Sequence, residues 1–99
     1  MPIRHLVLLK FKPETTPAQV HALETAFAAL ASKTSAVQSL EWGTNNSPER
    51  LDKGFTHCFN LTFADEAARA VYLPHPEHLA FVEQLKPALD DVLVVDYAV

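Results

Sequence analysis

The sequence predicts an α+β domain of the ferredoxin-like type, with element order βαββαβ and a four-stranded antiparallel sheet covered by helices on one face. Two observations carry this prediction. Residues 55–63 alternate strictly between apolar and polar side chains, as a half-buried strand does. Two stretches with apolar residues at helical spacing separate strand-like segments at both ends of the chain. The 99 residues suit a single domain that spans residues 1–99.

The first strand and the first helix have distinct sequence signals. Residues 3–11 place apolar side chains on both faces, which predicts a strand that is covered on both sides. Thr16 is placed to cap a helix, Pro17 fits its first position and Gln19 completes a capping box. Apolar residues then recur at helical spacing to about residue 32, where we expect the helix to end.

The second half of the chain repeats the strand and helix signals. Asp65 can cap a helix, and Pro74 and Pro76 must interrupt it, because proline cannot continue the hydrogen-bond ladder. The remaining elements are predicted as follows: strands at residues 37–44, 55–63 and 92–98, a loop at residues 45–54, and helical pieces at residues 65–73 and 76–87.

Composition and charge exclude several classes of partner. The net charge is −4 and the basic residues are scattered, which argues against nucleic acid or an anionic membrane surface as a partner. Cys58 is the only cysteine, so no intrachain disulfide is expected. The apolar run at residues 6–9 is too short for a signal peptide or a membrane span. We therefore expect a cytoplasmic protein.

Both faces of the outer strands carry apolar side chains, although helices can cover only one face of the sheet. Leu6 and Leu8 lie on one side of the first strand, and Leu93 and Val95 lie on one side of the last. An uncovered apolar sheet face is an association surface. We predict a homodimer in which two sheets pack face to face about a two-fold axis.

Two histidines occupy apolar strand faces. His5 shares a face with Val7, and His57 shares a face with Phe55 and Phe59. A buried imidazole must find hydrogen-bond partners. One interpretation is a core histidine bonded to a backbone carbonyl or to water. The other is a polar pocket, which two histidines on one sheet face would favour.

The proline-marked break between the predicted helices is a second place for site residues. Tyr72 and His78 flank it, and an irregular, locally stiffened segment often carries function. For His75 we favour the interpretation of an exposed residue at a helix start. For His78 we favour a role in the site.

Metal and nucleotide chemistry are not expected. The histidine spacing matches no recognisable zinc motif, and there is no glycine-rich phosphate loop. Cys58 and His57 are neighbours in a predicted strand, so their side chains point to opposite faces of the sheet. This argues against a Cys–His nucleophilic pair.

The whole chain resembles the stress-responsive A/B barrel family, known as Dabb. The matching segments are RHLVLLKF at residues 4–11, EWGTN at residues 41–45, GFTH at residues 54–57 and YLPHPEH at residues 72–78. The resemblance implies a ferredoxin-like dimer whose sheets form an α/β barrel. The family includes a plant polyketide cyclase that folds a linear tetraketide thioester by aldol condensation.

The resemblance implies specific roles for four side chains. Tyr72 and His78 match the catalytic residues of that cyclase, and His5 and His57 match its supporting pocket residues. No cofactor is implied. The residues that we expect to line an apolar pocket beside them are Leu9, Phe59, Leu61 and Phe81.

Three functions remain open from the sequence. The first is a cofactor-free acid–base enzyme of the cyclase or isomerase type, acting on a polyketide-like or β-dicarbonyl compound, with a small apolar carbonyl or aromatic molecule as ligand. The second is a non-catalytic ligand-binding or stress-related scaffold protein. The third, on fold alone, is the chemistry of related dimeric barrels, which include small monooxygenases and haem-degrading enzymes.

Overall fold

The computed structural model describes residues 1–99 and has the predicted order of strands and helices. All strand pairs are antiparallel, and the sheet order is β2-β3-β1-β4. The predicted ferredoxin-like fold is therefore confirmed. The elements are β1 Ile3–Phe11, α1 Pro17–Lys33, β2 Ser39–Thr44, β3 His57–Phe63, α2 Glu66–Tyr72, α3 Pro76–Leu85 and β4 Leu89–Ala98.

The predicted helix starts are formed by side-chain caps. The Thr16 hydroxyl accepts a hydrogen bond from the Gln19 backbone N–H at 3.2 Å, and the Gln19 side chain accepts one from the Thr16 N–H at 2.8 Å. This capping box satisfies two backbone donors that the first turn of a helix leaves free. At α2, the Asp65 carboxylate accepts from the Ala68 N–H at 2.8 Å.

Three strands do not begin where the side-chain pattern predicts. β2 begins at Ser39 and β3 at His57, both later than predicted. Before β3, the Phe55 N–H closes a turn onto the Asp52 carbonyl at 3.0 Å, so this residue does not join the ladder. β4 begins earlier than predicted, at Leu89. Strand ends depend on the hydrogen bonds that a neighbouring strand offers, and side-chain alternation does not record these.

The hydrophobic core lies between the helices and one face of the sheet. Phe27 of α1 stacks on Phe59 of β3, with ring centroids 4.0 Å apart and planes 6° from parallel. Leu61 and Phe63 are fully buried beside them. These side chains belong to a core of thirteen buried residues between the two layers.

The opposite face of the sheet carries no helix. Leu6, Leu8, Leu93 and Val95 lie on it, and Leu93 and Val95 are 46% and 51% exposed. β4 is also an edge strand. We call these four residues the open-face patch. None of the helices has the length and apolarity that crossing a membrane requires.

Candidate active site

A cavity of about 330 Å³ lies where the break between α2 and α3 faces β1 and β4. Ten of its thirteen lining residues are hydrophobic, and the exceptions are His5, His78 and Asp96. An apolar cavity with a few converging polar groups is the usual form of a small-molecule site. A larger groove of about 550 Å³ lies beside the loop between β2 and β3, but only four of its fourteen lining residues are hydrophobic.

The break between α2 and α3 fixes the orientation of His78. In a continuous helix the Glu77 N–H would bond to the Leu73 carbonyl. Here the Glu77 N–H bonds to His75 Nδ1 at 3.1 Å, because His75 caps α3. The free Leu73 carbonyl lies 2.8 Å from His78 Nδ1. A carbonyl oxygen only accepts, so His78 Nδ1 carries the hydrogen and the Nε2 of the neutral ring keeps its lone pair.

Tyr72 ends α2 and points its ring into the cavity. Its ring centroid is 4.5 Å from that of His78 and 6.3 Å from that of His5. Burial raises the pKa of the Tyr72 hydroxyl well above its ordinary value. The phenol therefore stays neutral over the whole physiological pH range and can donate a hydrogen bond.

The Tyr72 hydroxyl is available to a bound molecule. Asn60 Oδ1 is the only buried side-chain nitrogen or oxygen atom without a hydrogen-bond partner, and it lies on the open face of the sheet. The Tyr72 hydroxyl and His5 Nε2 make no hydrogen bond to another protein group, and both side chains line the cavity. The site thus presents a phenol donor close to two imidazole nitrogens that have free lone pairs.

His5 is held by a carboxylate from the last strand. His5 Nδ1 lies 2.6 Å from Asp96 Oδ1, and the imidazole is 6% exposed. His5 and Asp96 are paired directly across β1 and β4, which puts both on the face towards the helices. The other Asp96 oxygen accepts from Arg69 of α2 at 3.0 Å. The sequence interpretation of a carbonyl or water partner for His5 is therefore wrong.

His57 lies on the same sheet face but does not line the cavity. It is paired with Leu9, whereas His5 is paired with Leu61, so the two histidines are four ladder positions apart, or roughly 13 Å. Its Nε2 donates to the Glu24 carboxylate at 2.7 Å, and its Nδ1 lies 2.7 Å from the Thr56 hydroxyl. The expectation that His57 supports Tyr72 and His78 is not met, because both of its nitrogens are engaged elsewhere.

Three of the four predicted apolar lining residues lie in the core instead. Leu9, Phe59 and Leu61 are at most 1% exposed and do not line the cavity. Phe27 of α1 stacks directly on Phe59. Phe81 does line it. The additional apolar lining residues are Val7, Phe27, Leu73, Val82, Leu85, Leu89, Val92 and Val94.

Two acidic residues that the sequence patterns did not predict as partners, Asp96 and Glu24, bind His5 and His57. Asp96 shares strand parity with Val92 and Val94, so an acidic residue on an apolar face was a signal that could have been used. Glu24 gave a weaker signal, since helix positions beside an apolar stripe are often charged. No three His, Cys, Asp or Glu side chains converge as metal ligands do.

Comparison with known proteins identifies the family of this chain. The sequence profile of the Stress responsive A/B Barrel Domain family, Dabb, matches residues 3–99. The chain is 35% identical over 96 residues to the stress-response A/B barrel domain-containing protein HS1 of Arabidopsis thaliana, covering 97% of this chain and 88% of that protein. It is 29% identical over 97 residues to olivetolic acid cyclase of Cannabis sativa, covering 98% and 96%.

Solved structures with the same fold include an enzyme and a dimer. Hydroxynitrile lyase from Passiflora edulis superposes with a TM-score of 0.91 at 26% identity, over 99% of this chain and 93% of that one. A dimeric ferredoxin-like protein of unknown function from Jannaschia sp. CCS1 superposes with a TM-score of 0.86 at 26% identity, over 100% of both chains. With its profile match over nearly every residue, the chain belongs to the stress-responsive A/B barrel (Dabb) family.

Proposed function

We propose that this chain is a cofactor-independent acid–base enzyme that removes a proton from a small, neutral, largely apolar carbonyl compound of the polyketide or β-dicarbonyl type. The single observation that carries the proposal is the pairing of His78 with Tyr72 in an apolar cavity. One side chain offers a free lone pair and the other a neutral O–H, which are the two groups that enolate formation needs.

The proposed reaction begins with His78 as the base. Its Nε2 takes a proton from a carbon next to a carbonyl, and the C–H electron pair moves towards the carbonyl oxygen. The Tyr72 O–H donates a hydrogen bond to the oxygen as it becomes negative. The enolate can then attack a second carbonyl of the same molecule, which closes a ring, or take back a proton, which completes an isomerisation.

The lining of the cavity supports a neutral substrate. The cavity has no lysine or arginine among its lining residues, and its one acidic group, Asp96, disfavours an anion nearby. Phe81 and the valines of β4 offer contact to an apolar chain. The names of two relatives, a cyclase and a hydroxynitrile lyase, make both β-dicarbonyls and cyanohydrins suitable probes.

The test is a ligand-detected NMR screen of short β-dicarbonyls, aromatic phenols and acids, and cyanohydrins, with turnover followed in the same spectra. We expect binding and turnover by the wild type, and turnover to fall with His78→Ala or Tyr72→Phe. His21→Ala is the matched control, because His21 is exposed and outside the cavity. Binding without turnover would favour a ligand-binding protein, and no binding with an intact fold would favour the scaffold interpretation.

We also propose that the chain forms a homodimer through the open-face patch. Half-exposed Leu93 and Val95 on a helix-free sheet face leave apolar area that a second sheet would cover. The dimeric state of a structural neighbour supports a dimer for this chain. Gel filtration with light scattering tests it, and a monomer at micromolar concentration would contradict it.

A further inference from the structure

The hydrogen bond between His5 and Asp96 has no part in the reaction proposed for His78 and Tyr72. The two atoms are 2.6 Å apart, and His5 is buried. A carboxylate can only accept, so the hydrogen is on His5 Nδ1 and the lone pair of the neutral ring is on Nε2. This Nε2 makes no protein hydrogen bond, and the His5 side chain lines the cavity.

Of the five histidines, only His5 and His78 combine these properties. Each donates from Nδ1 to a fixed acceptor, and each lines the cavity. His57 uses both nitrogens, His75 accepts a backbone N–H to cap α3, and His21 is exposed. His5 projects from the sheet and His78 from a helix, so the two imidazoles come from opposite walls of the cavity.

We propose that His5 is a second base in this cavity and that Asp96 is its positioning residue; this rests on the proton transfer proposed above. A carboxylate on Nδ1–H fixes the tautomer and stabilises the imidazolium that forms when Nε2 takes a proton. A ketone that lies between sheet and helices then presents one hydrogen of its α-methylene to His78 and the other to His5.

The chemistry at His5 is balanced without any further reactant. The C–H bond breaks, its proton goes to His5 Nε2, and the electron pair forms an enolate whose oxygen accepts from the Tyr72 O–H. Return of a proton that has exchanged with solvent restores the ketone and the neutral imidazole. In deuterium oxide, each base therefore places deuterium at one of the two stereochemically distinct positions.

The first readout of the test is the tautomer of His5. In nitrogen–proton correlation NMR we expect hydrogen on Nδ1 in the wild type. Arg69 donates to the other oxygen of Asp96, so in Asp96→Asn the amide oxygen faces Arg69 and the amide N–H faces His5 Nδ1. The ring hydrogen then moves to Nε2 and blocks the lone pair. Asp96→Glu should restore the wild-type tautomer. A wild-type His5 with hydrogen on Nε2 would overturn the proposal.

The second readout is deuterium uptake by benzylacetone, whose two α-methylene hydrogens are enantiotopic and are told apart by deuterium NMR in a chiral orienting medium. We expect the wild type to exchange both α-methylene hydrogens and His78→Ala to exchange only one of them. In Asp96→Asn, the exchange rate of the hydrogen that His78→Ala still exchanges should fall about ten-fold or more. Glu83→Gln is the control, since it makes the same carboxylate-to-amide change at an exposed site of α3. His5→Gln replaces Asp96→Asn if the latter does not fold.

The outcomes separate this inference from the proposed function. If His78→Ala abolishes both exchanges and Asp96→Asn changes neither, His78 is the only base, and the second-base proposal is overturned while the proposed function stands. If the wild type exchanges neither hydrogen faster than buffer does, the proposed function fails and the role of His5 as a base fails with it.

Discussion

Replacing Glu24 by alanine should destabilise the protein without altering the cavity at Tyr72. Glu24 is the acceptor for His57 Nε2–H at 2.7 Å, and the His57 side chain is 7% exposed. The change leaves a buried N–H without a partner, which costs about 1–3 kcal/mol. We expect the free energy of unfolding to fall by about 2 kcal/mol, since Glu24 itself keeps partial contact with water.

Urea denaturation followed by circular dichroism measures this effect. For a domain of this size a slope of about 1–2 kcal/mol per molar urea converts the loss to a midpoint shift of about 1–2 M. Protomer concentration must be held constant, because association changes apparent stability. Glu24→Gln is the matched control: its amide oxygen still accepts the hydrogen bond, so we expect a loss below about 1 kcal/mol.

A double-mutant cycle isolates the pair. His57→Phe keeps a ring among Phe11, Trp42 and Phe59, whose centroids lie 5.1, 5.9 and 6.4 Å from that of His57. In that background Glu24→Ala should cost about 1–2 kcal/mol less than it does in the wild type. A midpoint shift for Glu24→Ala no larger than that for Glu24→Gln would refute the assignment of His57 to a structural hydrogen bond.

Three further predictions follow from the fold. Thr16→Ala should lower the free energy of unfolding by about 1 kcal/mol in urea denaturation, because it removes the side-chain half of the capping box; no change would contradict the observed cap. Burial raises the pKa of Tyr72, so stability should fall as the pH rises past the ordinary tyrosine value of about 10, where the unfolded chain ionises. Tyr72→Phe should reduce this alkaline loss, measured as the difference between urea midpoints at neutral and alkaline pH. Leu93→Lys should shift sedimentation from dimer to monomer, and an unchanged dimer would place the interface elsewhere.

The fold was largely predictable because local signals agree with it. Strict alternation predicts the position of β3, although the strand begins two residues later, and the Thr16 cap with the helical spacing after it predicts α1. The exact starts of β2 and β4 were not predictable, because they depend on backbone hydrogen bonds to residues far away in the sequence.

The site was predictable only in part. The alternation of side chains along each strand predicts that His5 and His57 share the face towards the helices. It does not predict how far apart two residues lie along the sheet. It also does not separate a core position from a cavity wall, which is why Leu9 and Phe59 were assigned to the pocket. Asp96 lies 91 residues from His5, and only the pairing of β1 with β4 brings them together.

The most direct measurement of the central claim is the rate of deuterium uptake by a small ketone in the presence of wild type or His78→Ala, at equal concentrations of folded protein. We predict total uptake to fall clearly in the variant, with the His78-dependent position slowed by about 10²–10⁴-fold. If His78→Ala and the wild type exchange each of the two hydrogens at equal rates, His78 takes no proton. That result would contradict the assignment of this cavity as an acid–base active site.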